Sequence, residues 1–152
     1  MLNNMLPKVI DYTLKIWLTC ILVAPVIFLL ILLIKNYTLI TDFLQLITFG
    51  LLLYSGLVIL QILFSFITLL IFIAVVRLVL FVPVDGIVKT IMICIAGIVL
   101  TSATFFVTIL HEKTFVEWSN GEFFNLMFCD CICIGFGVWY YKLENYSNNK
   151  LS

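Results

Sequence analysis

What constrains this chain most is where its charges are not. Runs without Asp, Glu, Lys or Arg extend over residues 16–34, 43–76 and 90–110, and a fourth, 123–141, is interrupted by Asp130 alone. A crossing of the hydrocarbon core needs about 20 apolar residues, so three of these runs match one helix each. Only 11% of the residues are charged and 64% are apolar, whereas a soluble domain carries about 25% charged residues. With a mean hydropathy of +1.27, the chain cannot present a wettable surface. Its apolar runs therefore read as spans of a bilayer and not as the core of a soluble fold.

The run 43–76 is too long for one simple crossing: as a helix rising about 1.5 Å per residue it would reach roughly 51 Å, against about 30 Å of hydrocarbon. Orientation decides how to treat it. With one helix there, Lys8, Lys15, Arg77, Lys89, Lys142 and Lys150 share a side and only Lys35 and Lys113 face the other, which the positive-inside rule assigns to cytoplasm and exterior. Splitting the run would move most cations outside, and 51–63 holds no Pro, Asn-Gly or charged turn signal. The expectation is an all-α integral membrane four-helix bundle with short loops, one domain over 1–152. Its spans are placed near 16–34, 43–76 with extension to 82, 90–110 and 123–141, with both termini cytoplasmic.

Residues Pro7 to Trp17 read as an amphipathic lead-in helix on the inner surface, with Lys8, Asp11 and Lys15 on one side and Val9, Ile10, Leu14 and Trp17 on the other. Trp17, Trp139, Tyr140 and Tyr141 fit an interfacial aromatic belt at the inner ends of the first and last spans. No cleaved leader is expected, because the first run is followed by K-N-Y-T-L-I-T-D without a small-residue cleavage site. The sequon Asn36-Tyr37-Thr38 abuts a membrane end, where an acceptor is hard to reach, and is discounted. Pro25 is expected to kink the first helix and free the carbonyl of Ile21. Pro83-Val84-Asp85-Gly86 is a turn signal, with 78–82 forming an apolar tip beyond Arg77, which snorkels.

The stretch F-C-D-C-I-C-I from Phe128 to Ile134 raises the question of metal or redox chemistry. Zinc and iron-sulfur sites need ligands that converge, with spacings a turn can fold together. On a helix, neighbouring members of the set Cys129, Cys131 and Cys133 point apart, and only Cys129 and Cys133 share a face. Cys20 and Cys94 lie at other depths, and there is one histidine, His111, and no C-x-x-C pair. The thiols read as soft packing residues, with no metal or cofactor.

Asp130 is different, since a carboxylate inside a span costs on the order of 2 to 3 kcal/mol by insertion scales. Hydroxyls, amides or protonation must offset that cost. Gly97, Thr101, Thr104, Thr108 and His111 recur at helical spacing on one face of the third span. The expected polar cluster is Asp130, Thr104, Thr108 and His111, with Thr104 or Thr108 donating to the acid. The second span adds two polar faces: Gln45, Thr48 and Ser55, and Tyr54, Gln61, Ser65 and Thr68.

For function, zero net charge and the lack of a basic cluster exclude nucleic acid. No paired-acid, H-E-x-x-H, G-x-S-x-G or phosphate-cradling motif supports an enzyme. The expected role is a small multi-pass inner-membrane protein that binds or assists another membrane protein or a second copy of itself. One form is immunity or exclusion against a membrane-active toxin. Glu112, Glu117, Glu122 and Trp118 of the outer segment are the contact candidates. The alternative is an oligomeric ion or proton channel or carrier using Asp130. Loops rich in Ile, Asn, Lys, Phe and Tyr point to a low-GC bacterial genome.

Overall fold

The computed structural model describes residues 5–35, 43–111 and 121–141, with the side chains of 5, 43–46, 108–111 and 123 left aside. Four helices account for nearly all of these: α1 Met5–Lys35, α2 Phe43–Phe81, α3 Gly86–His111 and α4 Glu122–Tyr140. The first three are long and apolar enough to cross a membrane, and α4 is a shorter apolar helix over Phe124–Tyr140. The chain is a membrane protein built as an all-α bundle. Around the bundle the packed neighbours are α1 with α2, α2 with α3, α3 with α4, and α4 with α1.

The long uncharged run is indeed one helix. At 39 residues, α2 makes a rod of roughly 58 Å, well over the hydrocarbon thickness, so it must tilt, project or both. Its far end carries exposed Phe81 and Val82 into the turn Pro83 to Gly86. Lys89 folds back there, its Nζ donating to the Leu80 carbonyl at 3.3 Å, which satisfies one acceptor left open at the end of α2.

The lead-in differs from expectation. It does not form a separate surface helix but the first turns of α1, continuous to Lys35. Its polar side is exposed as foreseen, with Lys15 paired to Asp11 at 2.7 Å. Of the side expected to be apolar, Val9 is buried, Ile10 and Trp17 are half-buried and Leu14 is exposed; the face turned into the bundle is Val9, Tyr12, Thr13 and Ile16, and Tyr12 donates to the Val138 carbonyl of α4 at 3.3 Å. A lone amphipathic turn has only lipid headgroups to cover its apolar side; here α4 covers it. Pro25 is buried within an unbroken α1. Glycine is required just before α4, where Gly121 adopts φ 88°, a left-handed conformation that side chains resist.

Close helix approach depends on small residues. A Cβ added at Gly97 of α3 would lie 2.7 Å from Ile134 Cγ2 and 3.3 Å from Phe72, and one at Gly137 of α4 would lie 3.3 Å from Ile16 Cγ2. In lipid, helices gain little from leaving hydrocarbon, so such contacts carry much of the association energy. Cys129 and Cys133 belong to the same pattern: both are buried on one face of α4, where a small, soft side chain lets α1 come near.

Candidate functional site

The four helices line a cavity of about 270 Å³ that is partly open to its surroundings. Leu60, Leu69, Phe72, Leu126 and Ile134 make its walls apolar. Its polar groups come from every helix: Trp17 from α1, Gln61, Ser65 and Thr68 from α2, Thr101 and Thr104 from α3, and Asp130 from α4.

Asp130 sits near the middle of α4 and is buried. Its donor is the side-chain amide of Gln61, whose Nε2 lies 3.1 Å from both Oδ1 and Oδ2. The acid is thus held across the bundle, from α4 to α2. Of the two threonine donors expected on α3, Thr108 has its side chain outside the described residues, and Thr104 turns elsewhere. Thr104 does line the same cavity, but its hydroxyl donates to the Leu100 carbonyl at 2.9 Å and meets Thr68 Oγ1 at 2.7 Å. A threonine in a helix finds a backbone acceptor one turn back, which uses its only proton locally. With that proton spent, Thr68 is the donor to Thr104. The longer glutamine spans the gap that a threonine does not.

A second chain of hydrogen bonds runs along α2. The Trp17 indole N–H donates to Ser65 Oγ at 2.9 Å, and Ser65 donates to the Gln61 carbonyl. Trp17 is therefore a bundle residue and not a headgroup anchor, whereas Trp139 and Tyr140 are exposed as a belt requires. One polar atom stays open: among the described residues, the Gln61 side-chain oxygen is buried with no partner.

The side chains of Thr108 and His111 lie outside the described residues, as do Glu112, Glu117 and Trp118. Glu122 is described, and it is engaged within the chain: Lys35 at the end of α1 forms a short ion pair with it, and Asn125 donates to it at 3.0 Å. The Lys35 hydrogen bond, followed by that of Asn125, lowers the Glu122 carboxyl below its ordinary range. This pair joins the ends of α1 and α4.

The cysteines are unpaired, and the described residues contain no group of His, Cys, Asp and Glu placed to hold a metal. Cys131 points away from Cys129 and Cys133, toward Ser102 of α3 at 3.9 Å. What sequence reasoning missed was the pairing of Gln61 with Asp130. Its signal was present: Tyr54, Gln61, Ser65 and Thr68 form a polar stripe on an otherwise apolar helix, and polar groups within a span face the bundle.

Compared with models of known families, with curated proteins and with solved structures, the chain matches none.

Proposed function

We propose that this chain is a non-enzymatic accessory protein of a bacterial inner membrane, with both termini in the cytoplasm, that binds another membrane protein through the outer half of α2. The observation that carries the reading is the exposed side of that half-helix. Thr48, Ser55 and Gly56 are exposed in that half, and nothing lies within 4 Å of where a Cβ on Gly56 would stand. Ser55 spends its hydroxyl proton on the Leu52 carbonyl at 2.9 Å, so what these small residues offer another helix is close approach. The outer segment with Glu112, Glu117 and Trp118 would extend the contact above the bilayer. Immunity or exclusion is its concrete form: the bundle occupies a helix face that a pore-forming toxin needs for assembly.

Conduction through Asp130 is less well supported. Towards the inner ends the helices close around Val76, Val79, Ile93 and Val138, and the polar side chains buried beside them are spent within the bundle, Thr13 on the Val9 and Ile10 carbonyls and Tyr12 on that of Val138. The described residues therefore offer an ion no open polar group there.

The test is photocrosslinking in native membranes from probes at Leu52 and Gly56, with Phe136 on α4 as the control. Adducts to a distinct polypeptide from the α2 positions alone are expected. If every position captures only lipid, the proposal fails; adducts to the same chain would replace the partner by a second copy.

A further inference from the structure

The central cavity has a chemistry that the partner-binding role does not use. Protein interiors pack at about 0.75 of their volume, leaving few voids larger than a water molecule. This bundle closes tightly at Gly97 and Gly137, yet keeps about 270 Å³ open between those contacts. An apolar cavity of about 150 Å³ stays dry and takes up benzene, so this one has room for a fused bicyclic ring. Water is a poor occupant, because it needs two to four polar partners around it and most of these walls are hydrocarbon.

The polar groups say which end such a molecule must carry. Each hydroxyl proton of Ser65, Thr68 and Thr104 is already committed, as is the indole proton of Trp17. The Gln61 amide donates to Asp130 through one N–H shared between the two carboxyl oxygens, which leaves its second proton uncommitted. Among the described residues the buried side-chain atom left without a partner is an acceptor, the Gln61 side-chain oxygen, on a residue only 9% exposed, and the Asp130 carboxyl beside it has spare lone pairs. A buried acceptor without a donor costs about 1 to 3 kcal/mol, which a donor brought by a ligand would relieve. Thr101, also on the lining, can turn its hydroxyl to the same group. Phe64 lines the cavity while remaining half exposed, so access lies beside it, from the surrounding lipid.

We infer that the cavity is a binding site for one lipid-soluble phenol or quinol, with its ring among the apolar walls and its hydroxyl donating to the Gln61 side-chain oxygen and the Asp130 carboxyl. This site is independent of the α2 contact surface and stands or falls separately from it.

The test uses the full chain in nanodiscs with 2-naphthol as the probe and 2-methoxynaphthalene, which has the same ring without the donor, as its control. Saturable binding of 2-naphthol, about tenfold tighter than the methoxy compound, is expected. In Gln61→Leu that preference should vanish. A cavity-filling Thr101→Phe variant, with wild-type helicity, should lose both ligands. Uptake no greater than by empty nanodiscs, or equal affinity of the wild type for the two probes, would overturn the assignment without recourse to any variant.

Discussion

The two terminal helices and the central hairpin have similar compositions and different fates. Along α1, Val9, Tyr12, Ile16, Cys20, Ala24 and Phe28 recur every three or four residues and are all buried. On α4, Leu126, Cys129, Cys133 and Val138 meet them. On α3, by contrast, only Ile93 and Gly97 are buried among the described residues, and α2 exposes Phe49, Leu51, Leu52, Leu63 and Ile67. Hydropathy does not separate the pairs, since Leu63 is as apolar as Ile16. Side-chain size and spacing do: α1 and α4 alternate small and large residues along the face they share, whereas α2 turns large side chains such as Leu52 and Leu63 outward beside its exposed Thr48, Ser55 and Gly56. The terminal helices form the packed seam, and the hairpin is the face left for lipid or partner. The cavity opens between them, with Gln61 and Asp130 as its bridge.

Truncation should separate these halves most sharply. Ile16→Ala removes a side chain 1% exposed and should cost about 2 to 5 kcal/mol in unfolding from mixed micelles. Leu63→Ala, at a position 71% exposed, should be close to neutral; equal losses at both sites would erase the distinction. Glycines provide a second comparison. Gly97→Ala must displace Ile134 or Phe72 and should cost about 1 to 3 kcal/mol, while Gly56→Ala, with open space around it, should leave the thermal midpoint in place or raise it.

The bridge itself can be cut. Gln61→Leu strips Asp130 of its donor and should cost about 1 to 3 kcal/mol, of which Asp130→Leu in the same chain should recover a large part. A double-mutant cycle without coupling would mean that the two halves are held by packing alone. The smallest effect belongs to the clasp at the outer end of the seam. Because Lys35 lowers the Glu122 carboxyl from 4.5, the pair adds stability above that pH and loses it as pH falls through the lowered value. Wild type should exceed Glu122→Gln by less than about 1 kcal/mol at neutral pH, and the two melting curves should converge in acid.

Much of the fold was legible because charge is costly in hydrocarbon, and its absence over long runs marks the helices. The single long helix over the second run, its extension toward 82 and the turn at Pro83 could all be read that way. The division of Cys129 and Cys133 from Cys131 followed from helical geometry alone. The lead-in was misplaced because an amphipathic segment is equally satisfied by headgroups or by a neighbouring helix, and local pattern cannot distinguish them. That Gln61 donates to Asp130 was missed for a related reason. Two polar stripes, one on α2 and one on α3, were available at similar spacing, and choosing between them requires the relative rotation and offset of three helices.

From residue order alone came the environment of the chain, the four helices of the described residues and the one acid that must find a partner inside the bundle. These follow from transfer free energies, which depend on each segment by itself. The tertiary structure decided that Gln61 answers Asp130, that Thr104 turns to Thr68, and that a cavity with an open acceptor lies between the helices. Those depend on which faces meet and at what height, and in a chain apolar on nearly every side, close packing of shapes fixes that arrangement where hydropathy cannot.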